Sequence, residues 1–166
     1  MSNSFSNHEH ISVRSCELGR GLFAERDFKA GEFILRFSGP LITLEEALAK
    51  GETQANPLQV GPVTYIDVHP PGVFINHSCD PNSGIRNNVE LYALKDISRD
   101  QEIRFDYSTT MSERCWTMLC QCRTPLCRSI IRDFHELPDN IQERYIALGV
   151  VQEFIIIERH VNTNKC

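Results

Sequence analysis

The sequence predicts an α+β domain, mostly β, made of several small sheets and closed by a helical tail. Three observations predict it. Apolar and polar residues alternate in short runs, as half-buried strands require. Gly-, Pro-, Asn- and Asp-rich connections separate those runs. A helical spacing of apolar residues takes over only towards the C-terminus. Strands and helices do not alternate along the chain, so a doubly wound βαβ protein is excluded.

His10-Ile11-Ser12-Val13-Arg14 alternates and reads as the first strand. Gly19-Arg20-Gly21 breaks it, and Leu22-Phe23-Ala24 resumes. The turn Asp27-Phe28-Lys29-Ala30-Gly31 feeds a strand from Glu32 to Phe37. Thr43 and Glu46 fit a capping box, so a short helix is expected to run to about Lys50, where Gly51 stops it. Residues 52–64, with Pro57, Gly61 and Pro62, read mostly as loop. Tyr65-Ile66-Asp67-Val68 is a strand ended by Pro70-Pro71-Gly72, and Val89 to Leu94 is another. The turn from Asp96 to Glu102 echoes the one from Asp27 to Glu32, too briefly for a repeat architecture. Downstream, Leu137, Ile141, Tyr145 and Leu148 recur at helical spacing, with Pro138 in the first turn and Gly149 at the stop.

The length of 166 residues suits one core, and 41% hydrophobic with 23% charged residues excludes disorder and low complexity. A net charge of −5 argues against direct nucleic-acid binding, which relies on cations neutralising phosphates. It suits a lysine-rich basic partner, although mild acidity also serves solubility. Met1 to Asn7 is polar and lacks the pattern of a signal peptide. The run Phe154 to Ile157 is far short of the ~20 residues that span a bilayer. An intracellular location, cytoplasm or nucleus, with no membrane association is therefore expected. No Gly-rich loop opens a helix after a strand, which leaves no Rossmann cofactor site.

Three segments carry chemistry. Seven cysteines without a secretory signal argue against a disulfide framework, and four of them fall between Cys115 and Cys127. Cys120-x-Cys122-x4-Cys127 can supply three corners of a tetrahedral zinc site. Cys79, Cys115, Cys166 and the histidines are open as the fourth ligand. The apolar triplet Val73-Phe74-Ile75 runs into Asn76-His77-Ser78-Cys79, which places an amide, an imidazole, a hydroxyl and a thiol side by side. Asn76 and His77 read equally well as hydrogen-bonding residues of a buried turn. The strand Glu102-Ile103-Arg104-Phe105-Asp106-Tyr107 also ends in a polar pair, and a buried tyrosine is most often a core residue with its hydroxyl satisfied.

Together these segments resemble the SET-domain family of protein lysine methyltransferases. Gly19-Arg20-Gly21-Leu22-Phe23-Ala24 resembles its G-x-G motif, Phe37-Ser38-Gly39 its Y-x-G, and Asn76-His77-Ser78-Cys79 its NHSC signature. Glu102 to Tyr107 resembles its E-x-x-F-D-Y, and the cysteine cluster its post-SET zinc module. The resemblance implies a SET fold with a knot-like C-terminal threading over residues 9–108 and a zinc module over 116–132, and beyond it lies a helical extension over 133–166. That extension either completes the core or forms a homodimer contact.

The resemblance also implies S-adenosylmethionine as methyl donor, held near Arg20, Gly21, Asn76, His77 and Tyr107. Trp116 or Leu119 would pack on its adenine. Tyr107 would be the active-site tyrosine, and Phe105 would tune how many methyl groups fit. Cys79 would join Cys120, Cys122 and Cys127 around a structural Zn2+. The partner would be a lysine-containing basic protein or peptide. The family's Y-x-G tyrosine is Phe37 here, and Tyr65 is a candidate replacement for the missing hydroxyl. Phe37 with Phe105 predicts a roomier, more apolar channel that accepts di- or trimethylation. The same change is compatible with a catalytically silent module that binds a basic peptide, and the cysteines alone with a zinc-stapled interaction domain.

Overall fold

The computed structural model describes residues 9–51 and 56–163. Met1 to Asn7 and Cys166, both invoked above, lie outside the described residues. Within them are four small sheets. The first has the order β1 (Ile11–Cys16), β2 (Gly19–Ala24), β10 (Glu102–Phe105), β7 (Asn76–His77). The others are β3 (Phe33–Arg36) with β9 (Glu90–Ala93) and β8 (Ser83–Arg86); β4 (Leu41–Ile42) with β6 (Thr64–Asp67) and β5 (Pro57–Gly61); and β11 (Met118–Leu119) with β12 (Ile130–Ile131). The helices are α1 (Leu44–Ala49), α2 (Asp139–Ala147) and α3 (Glu153–Thr163).

The alternating runs become strands because each presents one side to a shared core. Leu22, Ala24, Leu91, Ala93 and Ile103 are fully shielded from solvent in that core. The two echoed turns face each other. Phe28 and Ile97 exchange both backbone hydrogen bonds, at 2.8 and 2.9 Å, and both side chains are buried. The capping box forms as expected, with Glu46 N–H donating to the Thr43 hydroxyl and Thr43 N–H to the Glu46 carboxylate.

Three readings are corrected. Gly19-Arg20-Gly21 lies inside β2 rather than breaking a strand. The reversal falls at Glu17-Leu18, and Gly19 leaves it with a φ of +100°, a region open to glycine. The described part of residues 52–64 contains β5, which starts on Pro57 at the edge of its sheet, where a missing N–H does little harm. Residues 52–55 are outside the description. Ser83 to Arg86 forms β8, a strand not anticipated, because its first three residues are buried without alternation. A Cβ on Gly84 would stand 2.7 Å from Val150 Cγ1, so the tail packs directly on this strand.

The tail forms a second apolar cluster of Phe134, Leu137, Tyr145, Val150, Phe154 and Ile155. The buried Gln152 ties it to the sheets. Its amide donates to the carbonyls of Gln59 and Asn88, each at 3.0 Å, and its N–H to the carbonyl of Thr109 at 3.1 Å. The described part of the tail thus completes the domain's packing.

Candidate active site and cysteine cluster

Strand β10 organises the site. It lies between β2 and β7, antiparallel to the first and parallel to the second, with Arg104 opposite Asn76 and Phe105 opposite His77. The Gly19–Ala24, Asn76–His77 and Glu102–Phe105 segments therefore meet on one sheet, while the cysteine cluster lies beside it.

Asn76 is held by its side-chain amide, which donates to the Arg20 carbonyl at 3.0 Å and to Glu102 Oε1 at 2.8 Å. Arg104 pairs with the other Glu102 oxygen. Gly21 allows this approach, since a Cβ there would fall 2.5 Å from Glu102 Oε1. The Arg20 guanidinium lies 4.0 Å above the Phe74 ring.

His77 is buried, and its tautomer follows from its neighbours. Nδ1 accepts the Tyr107 N–H at 3.2 Å, so Nε2 carries the proton and points it at Cys79 Sγ, 3.3 Å away. Burial lowers the imidazole pKa to about 4, so the ring is neutral near pH 7. Four rings then run in sequence through the site. Phe37 meets Phe105 edge-on at 6.1 Å, Phe105 meets Tyr107 at 4.9 Å, and Tyr107 meets His77 at 5.3 Å. The Tyr107 hydroxyl donates to the Ile75 carbonyl at 2.8 Å. Burial, and secondarily the Glu102 charge, raises its pKa, so it stays a phenol.

On one side of this row stand Arg20, Gly21, Asn76 and His77. On the other opens an apolar pocket of about 350 Å³. Phe37, Tyr65, Ile75, Phe105 and Tyr107 line it, and Trp116 and the α1 residue Leu48 close it nearer to solvent. Tyr65 is buried, and burial raises its phenol pKa. Trp116, expected against an adenine, thus lies on the apolar pocket. Leu119 is 72% exposed on β11.

The four sulfurs of Cys79, Cys120, Cys122 and Cys127 lie within 4.8 Å of one another. Cys79 and Cys120 are 3.7 Å apart. Four sulfurs at about 2.3 Å from a tetrahedral Zn2+ stand about 3.8 Å apart, so the cluster fits that ion. Backbone N–H groups of Cys122, Arg128 and Ser129 point at Cys120, Cys79 and Cys127, each at 3.4 Å, as thiolates require. Burial, and secondarily Cys122, push the Cys79 thiol up to about 11, which a bound dication would reverse. Cys115 is exposed and outside the group.

Two partners escaped the sequence reading. Asp106, 1% exposed, holds Arg128 with both carboxylate oxygens and also accepts the Tyr145 hydroxyl of α2 at 2.8 Å. Glu113 lines the apolar pocket. Asp106 falls inside the strand motif, but no local pattern names its distant partners.

The domain model described as "SET domain" matches residues 19–108. The chain is similar to human histone-lysine N-methyltransferase 2B, with 29% identity over 76% of this chain and 5% of that protein. It is similar to the mouse H3 lysine-36 specific histone-lysine N-methyltransferase, with 30% identity over 76% of this chain and 6% of that protein. The H3 lysine-4 specific enzyme of Emericella nidulans gives 30% over 72% of this chain and 11% of that protein. The chain therefore spans only a small part of the length of these relatives. Among solved structures, a humanized, inhibitor-bound mutant of the Chaetomium thermophilum Polycomb Repressive Complex 2 superposes with a TM-score of 0.54 and 24% identity. That match covers 61% of this chain and 15% of the other, and it supports the fold. With more than half of its residues matched by one domain model, this chain belongs to the SET-domain family.

Proposed function

We propose that the chain transfers methyl groups from S-adenosylmethionine to the ε-amine of lysine in a basic protein. The observation that carries the reading is the position of Tyr107, between the Arg20–Asn76–His77 edge and an apolar pocket open to the outside. When bound, S-adenosylmethionine supplies an electrophilic methyl group on a sulfonium. Carbonyl oxygens, an amide, a phenol and aromatic rings suit that cation, with Arg20, Gly21, Asn76, His77 and Tyr107 holding it.

The chain's own residues do the rest. A lysine amine with an unperturbed pKa of about 10.4 must shed its proton before it can attack. Walls made of Phe37, Phe105 and Ile75 disfavour its charged form. Tyr107, kept as a phenol, does not take the proton. Its bond to the Ile75 carbonyl fixes two oxygen atoms at the inner end of the channel, and positioning of this kind carries much of the rate. Phe37 offers no hydroxyl there, so di- and trimethylated products are expected. Cys79, Cys120, Cys122 and Cys127 would hold a structural Zn2+ closed to water. Such thiolates suit a reducing, intracellular setting.

Labelled donor incubated with histones and other lysine-rich proteins tests the reading. Histones come first because the similar proteins are named as histone-lysine methyltransferases. Tyr107→Phe should lower kcat by about tenfold to a hundredfold, reflecting a lost hydrogen bond and an orphaned carbonyl. Mass spectrometry should show products beyond monomethyl-lysine. No labelling of any protein, together with no donor binding by calorimetry, would leave the silent basic-peptide module or a zinc-stapled interaction domain.

A further inference from the structure

One ionisable group sits in the wrong company for a purely apolar channel. Among the described residues lining the pocket, Glu113 is the sole charged side chain. No lysine, arginine or histidine of the described residues lies within ion-pair distance of it. Behind it, Asp133 is 1% exposed; its Oδ2 accepts the Arg114 N–H at 2.6 Å and its Oδ1 is buried with no partner. Burial, and then Asp133, push the Glu113 carboxyl above its usual range. A half-buried carboxylate with a second, buried acid behind it is costly, and a cation entering the pocket would relieve Glu113.

We propose that Glu113 is the anionic end of a second side-chain subsite, which takes an arginine or lysine flanking the target lysine. This rests on the methyl-transfer reading for the identity of the substrate. The target amine itself is a poor partner for Glu113. An ion pair would favour the protonated amine and oppose the deprotonation that attack demands. Position agrees with this. From the buried Met111 the chain passes Glu113 to reach the exposed Cys115 and the 39% exposed Trp116, so Glu113 stands between floor and rim. The Trp116 ring lines the same pocket and offers a face on which a planar guanidinium stacks, which favours arginine over lysine.

Short peptides with one central lysine, and arginine, lysine, glutamine or glutamate at each flanking position, decide the matter. At one flanking position the parent protein should prefer arginine over glutamine by about tenfold in kcat/KM, mainly through KM. In Glu113→Gln that ratio should fall to near one, and in Glu113→Lys the preference should turn towards glutamate. Fluorescence anisotropy with norleucine in place of the central lysine should show the same ordering without any methylation. If Glu113→Lys fails to fold, the nearly isosteric glutamine variant still decides. The inference is overturned if Glu113→Gln keeps the parent's flank preference, or if it lowers kcat equally for every peptide with KM unchanged. If no peptide is methylated but binding still discriminates through Glu113, the methyl-transfer reading falls and the subsite stands.

Discussion

Serine in place of Cys79 is expected to abolish zinc retention and, with it, the ordered structure of residues 115–132. Cys79 supplies the one sulfur of the cluster from outside the C-terminal segment, 41 residues before Cys120. It is also the contact by which that segment grips the sheet, through the Arg128 N–H. Towards its C-terminal end Arg128 pairs with Asp106 and Ile131 is buried, but little else holds the cysteine turn. Its sheet has two strands of two residues each, and Met118, Leu119 and Leu126 are 40%, 72% and 56% exposed. Hydrophobic burial therefore contributes little around the cysteine turn itself, and a bound metal would supply much of its folding energy. Structural zinc contributes about 10–16 kcal/mol in small zinc-dependent peptides, far more than two short strands provide.

The main core, built on Leu22, Leu91 and Ile103, does not touch the sulfurs, so the variant should remain a folded domain with a loosened tail. Since Trp116 and Cys115 line the apolar pocket, the proposed methyl transfer should fall by more than about a hundredfold. Elemental analysis and hydrogen exchange over residues 115–132 read the first two effects, and Cys115→Ser should keep its zinc. One equivalent of tightly held zinc in Cys79→Ser, with parental exchange protection, would remove the cluster's assigned role.

Much of this arrangement is legible in the sequence because much of it is local. The Thr43–Glu46 box depends on four consecutive residues, and it forms as read. Alternation marks β9 because it has one face in the core. Cys120-x-Cys122-x4-Cys127 is a spacing signal, whereas Cys79 is joined to it only by resemblance, since no spacing rule reaches across 41 residues. What is not legible is governed by distant neighbours. Ser83-Gly84-Ile85 carries no alternation because the tail covers the face that would otherwise meet water. Glu113 looks like an ordinary surface acid until the pocket is closed around it by α1 and β6. Arg128 follows Cys127 of the cysteine cluster in sequence, yet its counter-ion stands 22 residues earlier.

That counter-ion gives the largest stability effect expected away from the cysteines. Asp106 is buried, and its carboxylate is surrounded by donors. Oδ1 accepts from Ser108 N–H at 3.1 Å and Arg128 Nη2 at 2.8 Å, and Oδ2 accepts from the Tyr145 hydroxyl and lies 2.8 Å from Arg128 Nη1. One side chain thus caps the helical turn that begins at Tyr107, neutralises the residue that donates its N–H to Cys79, and anchors α2. Asp106→Asn keeps the shape but removes the charge and turns an amide N–H towards other donors. It leaves Arg128, whose side chain is 13% exposed, without a counter-charge, at a cost of about 3–5 kcal/mol.

Tyr145→Phe should cost only about 1 kcal/mol, because the Asp106 oxygen it abandons stays ion-paired. Pairing Asp106→Leu with Arg128→Met removes both charges together and should be less destabilising than Asp106→Leu alone. Urea unfolding of the five variants, Arg128→Met alone included, measures these differences, and a double-mutant cycle isolates the coupling. If the effects of Asp106→Leu and Arg128→Met simply add, the pair is not the brace described. If they couple, the aspartate next to Tyr107 is the joint through which sheet, cysteine cluster and helical tail hold one geometry.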